Sequence, residues 1–462
     1  MRDLTRGSIV RHLLSMTLFL LGSMVFQSLY FLADMYWIGK LGRDAIAAVG
    51  LAANVMLMVL ASSQALGVGT TALVARAVGQ GDRDRSNLVF NQTLSLAIAS
   101  GAGFLGVGLL LCRPYVHWLA ADELTRRYAE QYLIWFVPAL ALQYPLISAG
   151  AALRGSGVVK PTMIMLATTV VLNLVLAPVL IFGWGTGRPL GVTGAAIATL
   201  TALVIGTVML TVYITMIHTY LQVRIELWKP SIATWREVIV IGVPSGAELG
   251  VLAIYLLIVY SLLRPFGAAA QGGFAVGARI GQSLILPTVA VAMANAPIVG
   301  QNYGAGNLAR IRSAFAIAAG VGVAFMTIMM LLVRRFAAPL VRLFTADEAV
   351  VGVGAGYLRI LALTFIATAL IFAAVSVFQG LGRTTRPFIS SVIRLIVFFV
   401  PAIALSRAPS FSLNTLWAIS AASIGVQAAL NLMFVVIEFR ALARQGFMVG
   451  SQPPDPIKPA RV

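Results

Sequence analysis

The sequence predicts an all-α membrane protein, with twelve transmembrane helices in two parallel six-helix repeats around a central cavity. Three observations predict it. Apolar residues make up 60% of the 462-residue chain and charged residues only 10%, at a mean hydropathy of +0.93, whereas soluble proteins carry about 25% charged residues. The apolar residues fall into twelve runs of membrane-spanning length. Short glycine-bearing segments recur at a fixed offset of 225 residues, as Arg85 and Arg310 show.

Residues 1–11 form a short basic cytoplasmic arm. The first half, 12–218, holds runs at 12–38, 45–75, 88–112, 131–153, 162–184 and 191–218. The most polar interior stretch, 219–237, contains Arg224, Glu226, Lys229, Pro230 and Arg236 and reads as a cytoplasmic linker. The second half, 238–439, holds runs at 238–263, 270–300, 313–333, 350–378, 388–406 and 413–439. The tail, 440–462, bears Pro, Lys and Arg and is expected to be loose and cytoplasmic. The first run exceeds a signal's apolar core and has no small-residue cleavage site, so it is expected to stay as a helix. An even number of spans puts both termini on one side. Lys and Arg divide about 19 to 11 in favour of that side being the inner one.

The repeat is read from matched segments. Ala75 to Arg85 lies over Gly300 to Arg310 and pairs Gly79 with Gly304 and Gly81 with Gly306. Arg154 to Gly157 lies over Gln379 to Gly382 at the same offset, and Pro161 meets Pro387 after a one-residue insertion. Leu41 and Gly42 lie over Phe266 and Gly267. Six spans per half make the repeats parallel, about an axis normal to the bilayer. The loop glycines 79, 81, 304 and 306 are expected to supply positive φ at tight turns.

A net charge of +18 would suggest nucleic acid in a soluble chain. Here the basic residues flank apolar runs and no basic stripe carries interleaved aromatics, so membrane lipid is the expected partner and nucleic acid is not. Cys112 is the single cysteine, which excludes an intrachain disulfide. His12, His117 and His218 sit near run ends and match no metal-site spacing, so no metal and no cofactor are expected. No GxxxxGK[ST] motif points to ATP. With no paired acids and no nucleophile elbow, the chain does not read as an enzyme.

The chemistry concentrates late in the first run. Gln27, Tyr30 and Asp34 share one helical face among Leu, Phe, Met and Val. A carboxylate there is costly to ionise, which suits a group that binds and releases protons. The alternative is a helix-end charge near the interface. Glu248 follows Pro244 and has three readings: a coupling acid, a cap for the carbonyl that Pro244 frees, or an ion-pair partner of Arg279. Gln282, Asn295, Pro297 and Arg394 are further polar or bending residues inside spans. Gln143, Tyr144 and Pro145 either line the cavity or pack as core with Trp135 and Phe136.

These segments resemble the multidrug and toxic compound extrusion (MATE) family over residues 10–440. The resemblance rests on Asp34 to Gly42 (DMYWIGKLG), Ala45 to Gly50, Ala75 to Gly81, Leu153 to Pro161 and Gly191 to Thr199. It implies two six-helix bundles in a V and export of amphipathic, often cationic drugs in exchange for protons or sodium. It also implies a monomer in the inner (plasma) membrane of a bacterium. The DinF-like branch places Gln, Tyr and Asp as in Gln27, Tyr30 and Asp34, and an Asn and a Thr matching Asn173 and Thr199. The chain departs at Ala177, where that branch has a second Asp, and at Phe19, where a bending proline is usual. Pro244 takes that place in the second repeat. Leu252 and Thr368 stand where another branch has carboxylates. With one carboxylate missing, H+ is the favoured coupling ion and Na+ the alternative. A lipid or lipid-linked saccharide flippase is the other reading.

Overall fold

The structure is a computed structural model and describes residues 2–120, 122–185, 187–217, 220–409 and 411–447. His218, Thr219, Lys458 and Arg461, with the rest of the tail beyond 447, lie outside them. The first half forms α1 (Ile9–Gly39), α2 (Arg43–Gly79), α3 (Arg83–Leu119), α4 (Glu123–Gly155), α5 (Lys160–Phe182) and α6 (Val192–Val212). The second forms α7 (Ile232–Leu263), α8 (Ala268–Gly304), α9 (Leu308–Arg342), α10 (Glu348–Ala362), α11 (Phe365–Leu381), α12 (Thr385–Ser406) and α13 (Leu413–Arg444). Eleven of these helices are long and apolar enough to cross a membrane. α10 and α11 together make a twelfth span, bent by 56°.

That bend corrects the single run expected over 350–378. Thr364 gives both its N–H and its hydroxyl to Leu361 O, at 2.8 and 2.7 Å. The tight turn ends α10 and re-aims the chain. Elsewhere the helices overshoot the apolar runs because caps, not hydropathy, set their ends. Asp82 accepts the Arg85 N–H at 2.8 Å, Asp122 that of Thr125 at 2.7 Å, and Asn307 that of Arg310 at 3.0 Å. α3 therefore starts at Arg83, ahead of the expected 88.

The polar stretch between the halves is also shorter than expected, since Ser231 caps α7 and the helix begins at Ile232. Its remaining residues are stitched to α3. Asn87 accepts from Gln222 N at 2.7 Å, Asn91 from Arg224 N at 2.8 Å, and Gln92 from Ser231 N at 2.8 Å. These three side chains are buried and satisfy backbone groups that have no helix to bond within.

The two halves make equivalent contacts 225 residues apart. Gly155 packs on Thr71 O and Val74, and Gly380 on Ala296 O and Val299. Across the halves the contact is reciprocal. A Cβ on Gly79 of α2 would lie 1.9 Å from Gln301 O of α8, and one on Gly304 of α8 would lie 2.1 Å from Arg76 O of α2. Reciprocity of this kind is what a pseudo-two-fold axis between parallel repeats requires. It also corrects the role expected of Gly79 and Gly304. Both are helical, and their missing side chains let two backbones touch. Gly81 and Gly306, at φ +73° and +71°, make the turns.

α7 closes on α2 in the same way. Cβ atoms on Gly69, Gly242 and Gly246 would lie 2.4 Å from Val238 O, 1.8 Å from Ala65 O and 2.7 Å from Ala61 O. Farther along α7, Gly250 faces open space. The N-terminal arm locks this end. Arg2 N donates to Ser156 O of the first half at 2.9 Å, and Leu4 N to Gln301 Oε1 of the second at 2.9 Å. Gln301 Nε2 reaches back to Gly155 O at 3.0 Å, and Arg310 Nη1 takes Gly7 O at 3.0 Å. The cluster around Leu4, Leu13 and Leu20 joins α1 to α8 here. The two large clusters farther from this end lie within one half each, except that Trp235 and Val238 of α7 join the first. The lobes thus form a V, joined at the arm-and-linker end.

Gly242→Leu cannot be accommodated with Ala65 O so close, so it should pry the joined end apart. Spin labels at Asp84 and Ser313, in a Cys112→Ser background, should report a longer distance distribution than the parent. An unchanged distribution would show that the seam absorbs a side chain.

Candidate functional site

Three helices of the first half meet at one hydroxyl. Thr199 Oγ1 of α6 lies 2.9 Å from Tyr30 Oη of α1 and 3.3 Å from Asn173 Nδ2 of α5. It also points at Ala195 O at 3.2 Å. A hydroxyl has one hydrogen. With that hydrogen on Ala195 O, Thr199 accepts from both Tyr30 and Asn173. Tyr30 is then the donor, and its own oxygen remains free to accept.

Asp34 lies one helical turn from Tyr30. It is buried, at 9% exposure, while Met35 and Tyr36 beside it are 52% and 58% exposed. Its Oδ1 is buried without a hydrogen-bond partner, as is Trp37 Nε1 almost one turn on. Tyr132 of α4, which was not among the residues singled out from sequence, is buried within electrostatic reach of both Asp34 and Tyr30. The available signal was its position one turn before Phe136 on the same face of α4. Asn173 and Thr199 are both buried. Ala177, where a second acid was sought, is fully buried in the apolar cluster of this lobe. Gln27 does not join the group. It is exposed and makes no described hydrogen bond.

The second half places its polar residues differently. Glu248 is half-buried just past Gly246, where the α2–α7 seam ends. Arg279 and Gln282 are exposed on α8. Among the described residues no ion pair joins Arg279 to Glu248, so that pairing is not formed here. Pro244 lies inside α7, which continues through it as one helix. Asn295 donates to Ser376 Oγ at 2.9 Å, and Tyr144 bonds Ser62 Oγ at 2.7 Å, tying α4 to α2. Arg394 sits half-buried over the Tyr255 ring, 5.2 Å from its centroid.

The comparisons with known proteins agree with this architecture. The MatE family model matches residues 20–179 and again 244–404. The chain belongs to the multidrug and toxic compound extrusion (MATE) family. The second MATE match starts 224 and ends 225 residues after the first, which is the offset seen in the contacts. Among relatives, a protein named "FAD transporter" from Shewanella oneidensis is 24% identical over 81% of this chain and 83% of its own. One named "Probable multidrug resistance protein NorM" from Thermotoga maritima is 26% identical over 92% and 91%. A solved MATE transporter described as outward-facing superposes with a TM-score of 0.87 at 24% identity, covering 95% of this chain and 98% of that one. The fold is the MATE fold, and the chain is a multi-pass membrane transporter.

Within this MATE fold, Thr199→Val keeps the shape but removes the oxygen on which Tyr30 and Asn173 converge. A buried donor, Asn173, and a half-buried one, Tyr30, lose their acceptor, at a cost of about 1–3 kcal/mol for the buried one. The detergent-solubilised variant should melt several degrees lower in a fluorescence thermal scan, and Thr199→Ser should melt like the parent.

Proposed function

We propose that this chain is a secondary antiporter that exports amphipathic, often cationic organic compounds in exchange for protons. The observation that carries the reading is Asp34: a buried carboxylate with an unpartnered Oδ1, one turn from the Tyr30–Thr199–Asn173 group. A buried unpaired carboxylate is stable only when neutral or when a cation joins it. Binding a proton and binding a cationic drug are then mutually exclusive ways to satisfy one site, which is the requirement for exchange. Tyr30 Oη, with its free lone pair, and Tyr132 stand close enough to respond to which is bound. Glu248, where the lobes part, is a second acid that lobe movement would carry between environments.

With both termini in the cytoplasm of a bacterium, the joined end is the inner one and the V opens outward across the inner membrane. The transporter is expected to act as a monomer. Sodium is the second reading, because the group around Asp34 is rich in oxygen atoms. Its single carboxylate, with Ala177 packed where a second would stand, favours the proton. The relationship to a protein named for FAD transport keeps larger cargo open as the natural substrate.

Ethidium efflux from proteoliposomes tests the proposal. An imposed pH gradient without sodium should drive it, and Asp34→Asn, which stands in for the protonated acid, should lower both the driven rate and the affinity for ethidium at least tenfold. Efflux driven by a sodium gradient at clamped pH, and not by protons, would overturn the proton assignment.

A further inference from the structure

Tyr30 and Tyr255 are 225 residues apart, so each occupies the same place on the first helix of its repeat. Each also does the same thing. Tyr30 Oη bonds Thr199 on α6, the last helix of its lobe, at 2.9 Å. Tyr255 Oη bonds Ser420 on α13, the last helix of the other lobe, at 2.8 Å. The two lobes therefore contain equivalent polar pockets. Their charges are opposite. One turn beyond Tyr30 stands Asp34, while its counterpart one turn beyond Tyr255 is the buried, apolar Val259. The fifth helix of the first lobe supplies the neutral Asn173, whereas the fifth span of the second, α12, supplies Arg394.

Arg394 is a cation without a counter-ion. Among the described residues none makes an ion pair with it. Its described contacts are Gln427 Oε1, 3.4 Å from Nη1, and the ring face and hydroxyl of Tyr255. A guanidinium has five N–H donors, and a long bond to an amide and one to the Tyr255 hydroxyl leave most of that capacity unused. Its surroundings are aromatic, with Tyr255 packed on Phe398 at 4.9 Å and Tyr357 against Trp417 at 4.8 Å. The nearest acid on α7, Glu248, is on the same face as Tyr255 but about two turns nearer the seam.

We propose that this pocket is an anion subsite, where Arg394 takes the carboxylate or phosphate group of an amphipathic substrate and the aromatic wall takes its apolar body. A planar guanidinium pairs such groups in bidentate fashion. A substrate carrying both charges would engage Asp34 in one lobe and Arg394 in the other, and so bridge the cavity. This rests on the drug-exporter reading for its choice of ligands.

The test uses the full chain in phosphatidylcholine nanodiscs, with norfloxacin, which has a carboxylate and a piperazine amine, and its ethyl ester, which lacks the carboxylate. Calorimetric titration should show the parent binding the acid at least tenfold tighter than the ester. Arg394→Gln should abolish that preference and leave ester and ethidium binding as in the parent, and Arg394→Lys should restore part of it. Equal weakening of acid, ester and ethidium would mean that Arg394 only holds α7, α12 and α13 together, and would overturn the proposal. So would an undiminished preference in Arg394→Gln. Doping the discs with phosphatidylglycerol separates the sources: loss of acid binding in the parent alone assigns the site to a lipid phosphate, and unchanged binding to a solute carboxylate. Absence of ion-driven efflux would remove the antiporter reading but would not alter the acid-to-ester ratio, so the two fail separately.

Discussion

The structure depends on backbone-to-backbone contact between two lobes at one end. Gly69, Gly79, Gly242, Gly246 and Gly304 let α2 touch α7 and α8 with no side chain between them. Contact this close gains dispersion over a long seam but holds only at one spacing. With backbone against backbone there is little room for one lobe to slide on the other without losing the contact. The arm from Arg2 to Gly7 adds hydrogen bonds to both lobes at the same place. Opening this end therefore costs buried polar bonds as well as packing. Something at the other end, or in the cavity, must offset that cost for the lobes to alternate.

The Asp34 pocket is suited to supply that offset. Thr199 accepts two hydrogen bonds and gives one, which is all an alcohol can do, so the group is satisfied without Asp34. The carboxyl is left with an unmet oxygen in an apolar lobe. Its energy consequently depends on what joins it, and the α1 backbone transmits that dependence to the seam. α1 carries Asp34 toward one end and packs Leu13 and Leu20 against α8 at the other. One helix thus links the Asp34 carboxyl in the first lobe to the interface with the second.

Much of this was legible in the sequence. The repeat, the helical class and the meeting of Tyr30, Asn173 and Thr199 follow from spacing or from family resemblance. What was missed shares a physical cause: a residue's type does not say which of its capacities the fold uses. Glycine can turn a chain or let two helices touch, and Gly79 and Gly304 do the second while Gly81 and Gly306 do the first. Gln27 has the helical phase of Tyr30 and Asp34 but is exposed and makes no described hydrogen bond, so a shared helical face does not by itself bring a side chain to Thr199. Asn87, Asn91 and Gln92 sit at the start of an apolar run and satisfy a linker more than a hundred residues away. Tyr132 gains its meaning from α1, which periodicity along α4 cannot show.

Duplication explains both the symmetry and its loss. Two copies of one bundle must first have met through identical surfaces, and the reciprocal Gly79–Gln301 and Gly304–Arg76 contacts keep that constraint, since neither side can change alone. The pockets carry no such constraint. Each lies inside its own lobe, so Asp34 and Val259, or Asn173 and the Arg394 helix, were free to diverge while Tyr30 and Tyr255 kept their hydroxyl partners. The interface preserves the two-fold axis and the cavity departs from it. That is the arrangement a transporter needs: symmetric halves that can rock as equals, around walls that bind a substrate having no symmetry of its own.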